Sequence, residues 1–459
     1  MTRASTPSVN STRRTKAPCA TPTTMVPTCA SPAGASAHAQ PGGRHRILVM
    51  AHAHPDFSLG GGEIAAYNLF NAYQKDADVQ EAWFLARADR GRGATGQISL
   101  RRPNEYLWEQ AVHDWHRMKA LHQDSLVTWF ADLIRALKPT AVHTHHYAHL
   151  GLEYLRVIKQ VDPTIKILMT LHEYMAICRN QGQMIKTGSF RLCGRSSPDD
   201  CSRCFPDATP EDFWLRKHYF TSHFDLVDHF VSPSEFLRQR YVDWGLEGDR
   251  ITVIENGQAD EEPLPPRSLA AGEKRNRFGF FGQITPYKGL DVVLEALALL
   301  KEEDSDMAVL EVHGANLELQ PEEYRKKVER LRAPLMERGV VQWVGPYQPH
   351  ELGRRMGGVD WVVVPSIWWE NSPMVIQEAF LCGRPLVVSD IGGMKEKVKH
   401  GGNGVHASVG NALQWKSALK SCATGTNGYD VLLSGIARPN SHRVTAKLHC
   451  NLIDNAGNS

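Results

Sequence analysis

VDWVVVPSIWWENSPMVIQEAFLCGRPLVVSD, residues 359–390, contains three apolar segments of different length and spacing. Residues 359–366 and 384–390 are short apolar runs, which are typical of buried strands. Between them, residues 374–382 carry apolar side chains at helical spacing, Pro373 suits the first helical turn, and a glycine closes the helix. The stretch therefore predicts a strand–helix–strand unit of a parallel sheet.

Two series of such strands and helices follow one another along the chain. The first runs from residue 45 to 257 and the second from 277 to 425. Residues 258–276 between them are rich in proline and charge and have no apolar periodicity, so we interpret them as a linker. The sequence thus predicts an α/β protein with two Rossmann-like domains, each a doubly wound parallel sheet. Ligands of such sheets bind at the carboxyl ends of the strands, so we expect a cleft between the domains.

The composition is that of a globular protein, since 42% of the 459 residues are hydrophobic and 22% are charged. A formal net charge of +2 gives no electrostatic reason to expect a nucleic-acid partner. No apolar run is long enough for a membrane-spanning helix. Nine cysteines, an odd number, fit a reducing compartment better than a disulfide framework. We therefore expect a cytoplasmic protein.

The first 44 residues differ from the rest of the chain. They contain no Asp or Glu and are rich in Ser, Thr, Pro and Ala. They also lack the apolar core of a secretory signal. Three interpretations stay open for residues 1–44: a disordered tail, an organelle-targeting segment, or upstream sequence joined through a wrongly assigned start.

Candidate binding residues lie where predicted strands end. Gly60, Gly61 and Gly62 follow the first strand and open a helix, where backbone N–H groups and the helix dipole favour an anion. Their spacing is not that of a dinucleotide-binding loop. His172 ends another strand and is expected to face the cleft. The structural alternatives are a tight turn for the glycines and a hydrogen-bonded histidine paired with Glu173.

Two carboxylates and a lysine follow predicted strands of the second domain. Glu370 lies in a loop, whereas Glu378, eight positions later, falls on an apolar helix face where a carboxylate needs a partner. Lys288 begins a helix, which is electrostatically a poor place for a lysine. We therefore expect Lys288 to neutralise phosphate in the cleft, with an ordinary surface lysine as the alternative.

The patterns that could indicate a metal site are less specific than the candidate residues of the cleft. The spacing C-x14-C-x7-C-x2-C predicts a structural zinc site or, alternatively, unpaired thiols in an irregular insertion. Its members are Cys178, Cys193, Cys201 and Cys204. The D-x-D segments at 76–78 and 304–306 fall in charged stretches, and we interpret both as solvated surface. The histidines at 143, 145, 146 and 149 have no metal-binding helix spacing, and we interpret them as strand-end and loop residues.

The motifs together resemble the retaining glycosyltransferases of family four, also called group 1, with the GT-B architecture of glycogen synthase and of mannosyl- and glucosyltransferases. The resemblance covers residues 45–425. Its most specific motif is ENSPMVIQEAFLCGRPLVVSDIGGMKE at 370–396. GGGE at 60–63, TLHEYMAIC at 170–178 and FGQITPYKG at 281–289 support it. Residues 426–459 match only weakly the closing helices that usually cross back to the first domain.

The resemblance implies roles for individual residues. Glu370 matches the acid beside the donor sugar, Lys288 the lysine on the diphosphate, and His172 the active-site histidine of the first domain. Gln283 stands where many members carry arginine, so it hydrogen-bonds phosphate without adding charge. No metal or cofactor is required for catalysis, because Lys288 and helix N-termini can stabilise the leaving diphosphate. The implied donor-binding residues are Gly61, Gly62, Gln283, Lys288, Met374, Val375 and Glu378, the last of which accepts hydrogen bonds from the ribose.

The implied reaction moves a hexose from a nucleotide-diphosphate sugar to a saccharide or lipid-linked acceptor, with retention of configuration, in cell-envelope or polysaccharide biosynthesis. A sugar-nucleotide 2-epimerase and a non-catalytic nucleotide-sugar-binding protein are the alternatives. The sequence leaves open whether the nucleotide is UDP or GDP. The aromatic and basic segment at 101–122 suits either internal packing or a peripheral membrane contact.

Overall fold

The computed structural model describes residues 42–456, apart from 59, 90–92, 190 and 302–307. The segment at 1–44 therefore lies outside the described residues up to position 41, as does the D-x-D segment at 304–306. Two main sheets form within the described part of the chain, and helices connect their parallel strands. The predicted α/β class with two doubly wound sheets is confirmed.

The first sheet is built from the first half of the chain. Its strands and an additional ribbon are β1 (His45–Ala51), β2 (Val79–Arg87), β3 (Ile98–Arg102), β4 (Glu105–Trp108), β5 (Val112–Asp114), β6 (Lys119–Ala120), β7 (Ala141–Thr144), β8 (Lys166–Thr170), β9 (His229–Ser232) and β10 (Ile251–Val253). Eight of these form one sheet in the order β10-β9-β8-β7-β1-β2-β4-β3, while β5 and β6 pair separately. Only the β3–β4 pair of the large sheet is antiparallel.

The helices of this half connect consecutive parallel strands. They are α1 (Gly61–Tyr73), α2 (Gln123–Ser125), a π-helical turn (Leu126–Phe130), α3 (Ala131–Leu137), α4 (Tyr154–Val161), α5 (Pro198–Cys204), α6 (Pro210–Phe224), α7 (Glu235–Trp244) and a 3-10 turn (Gly248–Arg250). The hydroxyl of Ser234 accepts from the backbone N–H of Leu237 and so caps α7. Gly245 ends α7 at a φ of 119°, which favours glycine. The serine cap and the closing glycine thus set the two ends of α7.

The second half repeats the architecture. Its strands are β11 (Arg277–Gln283), β12 (Val309–Ala315), β13 (Val341–Trp343), β14 (Trp361–Val364), β15 (Leu386–Ser389) and β16 (Gly404–Ala407). They form a wholly parallel sheet in the order β13-β12-β11-β14-β15-β16. The helices are α8 (Leu290–Ala298), α9 (Glu322–Glu337), α10 (Leu352–Gly357), α11 (Met374–Leu381), α12 (Gly392–Lys397), α13 (Ala412–Ala423), α14 (Tyr429–Ser434) and α15 (His442–Asn455), with 3-10 turns at Pro286–Lys288, Leu317–Leu319 and Pro349–Glu351.

Both faces of the central strands of each sheet are buried, which explains the continuous apolar runs in their sequences. In β1, Leu48 belongs to the core on one face, whereas its neighbours Ile47 and Val49 belong to the core on the other face. In register, Val49 lies opposite Phe84 of β2 and His143 of β7. Successive side chains of a strand point to opposite faces, so a strand covered on both sides needs apolar residues at every position.

The chain returns to the first sheet at its carboxyl end. Helix α15 packs against α1, and Ala446 and Cys450 are buried in the core on that face. Asp78 forms an ion pair with Lys447 of α15, and Asp76 is only 9% exposed. The interpretation of residues 76–78 as solvated surface is therefore wrong, because these acids lie where α15 docks.

Residues 101–122 form the end of β3, strands β4 to β6 and the connections between them, which the sequence did not predict. Trp108 of β4 is fully buried and stacks on Phe130 with the ring centroids 4.9 Å apart. Its indole N–H donates to the hydroxyl of Ser125 at 3.0 Å. Internal packing thus accounts for Trp108. In the described part of the chain, no helix combines the length and the apolar character needed to cross a bilayer.

Candidate active site

Two of the predicted catalytic residues meet at the carboxyl edge of the second sheet. Glu370 lies in the loop after β14, and Lys288 lies in the 3-10 turn that follows β11. The Nζ atom of Lys288 is 2.6 Å from Oε1 of Glu370. Strands β11 and β14 are parallel neighbours, so the segments after them emerge side by side. The topology therefore positions this ion pair.

Glu370 is held as a charged group. Its side chain is buried, and Oε1 also accepts hydrogen bonds from the Ser366 hydroxyl at 2.8 Å and the Trp368 indole at 2.9 Å. Burial raises the pKa of Glu370, but the charge and hydrogen bond of Lys288, with those two further donors, hold the pKa below its ordinary value. Glu370 is therefore ionised at neutral pH.

Glu378 has the opposite environment. It lies in α11, and its carboxylate forms no hydrogen bond or ion pair with any residue that the structure describes. Burial raises the pKa of Glu378 to about 7. Near neutral pH its carboxyl group is therefore only partly ionised and open to hydrogen-bond donors from a ligand.

Residues of the two halves meet across the cleft. Between the halves, a Cβ atom placed on Gly61 would lie 3.4 Å from Cγ of Met374. Within the first half, a Cβ atom on Gly62 would lie 3.7 Å from Cγ of His172. Gly61 and Met374 are the first residues of α1 and α11, so two helix N-termini lie next to each other. Asn371 donates its side-chain amide to the backbone carbonyl of His172. The convergence of two positive helix ends favours an anionic ligand.

His172 lies two residues beyond the end of β8, so the prediction that this histidine ends the strand is two residues too long. Burial, followed by the nearby charge of His52, lowers the pKa of His172 to about 4. Its Nε2 is 3.0 Å from Nδ1 of His145. Burial also lowers the pKa of His145 well below its ordinary value. The two rings thus form a neutral hydrogen-bonded pair at physiological pH.

The interpretation of His145 as a mere strand-end residue overlooked this contact. Strands β7 and β8 are parallel neighbours, and both histidines follow the ends of these strands. Their shared position at the ends of neighbouring strands could have predicted the contact between the two histidines. A further histidine, His143 within β7, is fully buried and bonded to Tyr73 and Thr170, which makes it structural.

The other predicted donor-binding residues lie close by in the fold. Gln283 is the last residue of β11 and is exposed to solvent. Val375 is the second residue of α11. A groove of about 590 Å³, which the sequence did not predict, opens at the carboxyl ends of β11, β12 and β13. Its wall includes Ile284, Gly314, Asn316, Leu317, Trp343 and Gly345.

The four predicted metal-binding cysteines line one small cavity in the first half, and they are free thiols. Among the residues described, no three side chains of His, Cys, Asp or Glu are already arranged to hold a metal ion.

Comparison with known proteins assigns both halves. A model of the group 1 glycosyl transferases matches residues 263–427, and a model of glycosyltransferase family 4 matches residues 59–262. The two models together match well over half of the chain.

The curated relatives are similar over part of their length. A D-inositol 3-phosphate glycosyltransferase of Jonesia denitrificans is 32% identical over 164 residues, which are 35% of this chain and 37% of the relative. One from Corynebacterium aurimucosum is 26% identical over 284 residues, 61% of this chain and 62% of the relative. The chain thus spans less than two thirds of the length of these relatives.

Solved structures match the whole architecture. HepE of Anabaena, in complex with UDP and glucose, superposes with a TM-score of 0.62 at 17% identity, over 90% of this chain and 100% of that one. Sucrose-phosphate synthase of Thermosynechococcus elongatus superposes with a TM-score of 0.62 at 15% identity, over the same fractions of the two chains. These likenesses show the GT-B fold.

Proposed function

Because the chain belongs to the group 1 glycosyltransferases of family 4, we propose that it transfers a hexose from a nucleoside-diphosphate sugar to an acceptor with retention of anomeric configuration. One observation carries the proposal. Two carboxylates eight positions apart have opposite environments, since Glu370 is charged and paired with Lys288 whereas Glu378 has no partner among the described residues. A donor with a sugar at one end and a ribose at the other gives each carboxylate a separate task.

Glu378 suits the ribose. A ribose diol donates two hydrogen bonds to one carboxylate, and such charge-assisted bonds favour the ionised form. No donor among the described residues reaches the Glu378 carboxylate, and burial raises its pKa to about 7. Binding of the nucleotide would therefore compensate the buried charge.

Lys288 and the two helix N-termini suit the diphosphate. Lys288 lies beside Glu370, and the first residues of α1 and α11 lie in contact. These groups would stabilise the charge that develops on the diphosphate as the glycosidic bond breaks, without a metal ion. Gln283 adds a hydrogen-bond donor but no charge, which leaves Lys288 as the principal cation.

The proposed reaction passes through an oxocarbenium-like state. The acceptor hydroxyl attacks C1 of the sugar on the face that the diphosphate leaves, and a leaving phosphate oxygen takes the hydroxyl proton. His172 is neutral because of its lowered pKa, so it would orient the sugar or the acceptor by hydrogen bonding rather than by charge.

UDP-sugars are the donors that we propose first. The neighbours of known structure include HepE, which is described with UDP, with UDP and glucose, and with UDP-glucose. For the acceptor, we propose a hydroxyl-rich compound such as a saccharide, a lipid-linked saccharide or a phosphorylated polyol, the last suggested by the D-inositol 3-phosphate glycosyltransferases.

The test is a panel of UDP- and GDP-sugars, first screened for binding by thermal shift and then assayed with acceptors of these three kinds. We expect a linked product whose anomeric configuration, read by NMR coupling constants, equals that of the donor. Donor conversion to a C2 epimer without an acceptor would instead establish the epimerase alternative. Binding without turnover across the panel would establish the non-catalytic alternative.

A further inference from the structure

Four cysteines in the first half surround a common space. We call residues 178–205, which run from the loop after β8 through α5, the cysteine loop. All four of its thiols line one cavity of about 20 Å³. A space of this size holds about one water-sized occupant. The cysteine loop therefore has the ligand number and the room for a single metal ion.

The sulfur atoms lie close enough to influence one another. Burial raises the pKa of Cys201 to about 11, and the other three thiols raise it further through their charges. Burial also raises the pKa of Cys178, and backbone hydrogen bonds from Asn180 and Met184 to its sulfur only partly offset this effect. The four sulfur atoms thus lie near one another in a largely buried site.

The surroundings carry uncompensated positive charge. Arg216 of α6 is 3% exposed, its Nη atoms donate to the carbonyls of Met175 and Ala176, and no described residue accepts from its Nε. No carboxylate forms an ion pair with Arg216 in the described ranges of the chain. Glu173 interacts with it only at longer range. A buried cation without a counter-ion is costly, so an anionic centre nearby is expected.

Other charges at the cavity are already balanced or add to this excess. Arg179 forms a two-point ion pair with Asp207, and Asp200 is paired with Arg203. Lys186 lines the cavity and forms no ion pair within the described residues. Lys186 and Arg216 are therefore cations near the four thiols without an ion-pair partner among the described residues.

We propose that the four cysteines bind one zinc ion as a tetrahedral tetrathiolate, which stabilises the cysteine loop. Zinc bound by four thiolates is a dianion, and nearby cations such as Lys186 and Arg216 would offset that charge. Four sulfur ligands in tetrahedral geometry suit zinc. The thiols do not yet converge on one point, so their side chains turn inward on binding, and the hydrogen bond from the Cys193 thiol to the Arg195 carbonyl is lost. Each ligating thiol releases its proton to water.

The cysteine loop also contacts the loop that carries Glu370. The indole N–H of Trp369 donates to the Cys193 carbonyl at 3.0 Å, and Arg240 donates to the Gly194 carbonyl at 2.6 Å. Arg240 in turn lies over the Trp369 ring at 5.0 Å. A metal-stabilised cysteine loop therefore fixes the residue that precedes Glu370, which places the zinc in a positioning role for the cleft.

The decisive measurement is the metal content of the untagged full chain, purified in reducing buffer without added metal. We expect about one zinc per chain. Titration with a mercurial thiol reagent should release that zinc into a chromogenic chelator, in step with modification of the cysteines. Cobalt added to zinc-stripped protein should give the visible bands of tetrahedral cobalt–thiolate coordination.

Cys204→Ser should reduce the zinc content to less than ~0.1 equivalent. Cys422→Ser is the matched control, because Cys422 is buried in the second half and should retain the full equivalent. If the Cys204 variant does not fold, the mercurial and cobalt experiments on the wild-type chain still decide. Wild-type protein without transition metal and without cobalt–thiolate bands overturns the proposal. Iron with acid-labile sulfide, or disulfides among the four cysteines, overturns it equally. None of these measurements depends on glycosyl transfer.

Discussion

Lys288 and Glu370 form an ion pair of 2.6 Å between two loops of the second half, and the Ser366 hydroxyl and the Trp368 indole donate to the same carboxylate oxygen. The lysine therefore already has a partner in the free protein. In the proposed donor complex, a diphosphate would compete with Glu370 for the lysine charge. Binding and the protonation state of Glu370 are coupled through this pair.

Lys288→Met should weaken binding of free nucleoside diphosphate by about ten- to hundredfold, the worth of a charge-assisted hydrogen bond. It should also raise the pKa of Glu370, because the lysine charge is what offsets burial. Gln283→Arg, which restores charge nearby, should tighten diphosphate binding at low salt. Calorimetry with free diphosphate measures the weaker binding of Lys288→Met and the tighter binding of Gln283→Arg. Lys399→Met, at an exposed lysine of the same half, is the control, and equal affinities of the two variants would contradict the role.

His172→Ala should fold and lose about a hundredfold in kcat, the usual cost of removing one positioned hydrogen-bonding group. Since the pKa of His172 is lowered to about 4, the imidazole stays neutral above about pH 5. The pH dependence of the remaining activity between pH 6 and 8 should therefore be that of the wild type. His113→Ala, an exposed histidine of the same half, should leave kcat unchanged. A changed profile in that range would show that His172 titrates in the active enzyme.

The parts of this site that the sequence predicts are those marked by a pattern within a short stretch of sequence. Continuous apolar runs and helix caps identified β14 and α11, so the positions of Glu370 and Glu378 after and within them followed. The ion pair of Lys288 with Glu370 joins residues 82 positions apart and depends on β11 lying next to β14, which no local pattern specifies. Strands β3 to β6 were missed because they are short and partly exposed, so their apolar periodicity is weak.

Gly393→Ala should disrupt the loop that carries Glu370. A Cβ atom on Gly393 would lie 1.8 Å from the backbone carbonyl oxygen of Asn371, which cannot move aside as a flexible side chain does. We expect a loss of about 2 kcal/mol or more in unfolding free energy and a large loss of donor affinity. Gly353→Ala in α10 is the control, since its Cβ would meet no atom within 4 Å. Denaturant unfolding of both variants measures this loss of stability. Equal unfolding midpoints for the two variants would show that the loop adapts to the added Cβ atom.

Glu396 should stabilise the contact between the two halves. Its carboxylate accepts from the backbone N–H groups of Glu235 at 2.9 Å and Phe236 at 2.6 Å, at the N-terminus of α7. Glu396→Ala should cost about 1 kcal/mol, as loss of a helix cap does, and should increase proteolysis between the halves. Glu337→Ala, at the end of α9, is a comparison at a helix C-terminus. An unchanged melting temperature and cleavage rate in the Glu396 variant would contradict this bridge.

Substitutions of Glu370 and Glu378 should have different effects on ligand binding. Glu378→Gln should weaken both the nucleotide sugar and the free nucleoside diphosphate, because both carry the ribose. Glu370→Gln should not weaken the free diphosphate, and should tighten it to the extent that Glu370 competes for Lys288, but it should weaken the sugar-bearing donor and turnover. Calorimetry of both ligands with both variants separates the two roles. Equal losses for both ligands in each variant would show that the carboxylates share one task.

The pH dependence gives a second test of the same assignment. With the pKa of Glu378 raised to about 7, wild-type affinity for free diphosphate should rise from about pH 6 to pH 8 as the carboxylate ionises, and Glu378→Gln should abolish that rise. The folded protein disfavours the charged form, so Glu378 destabilises the free protein increasingly as pH rises from about 4.5 to 7. Glu378→Gln should therefore be more stable than the wild type at pH 8, by on the order of 2 kcal/mol, and equally stable near pH 4. Denaturant unfolding at the two pH values measures this difference. A variant that is less stable at pH 8 would mean that the carboxylate has a partner in the free protein and does not await a ribose.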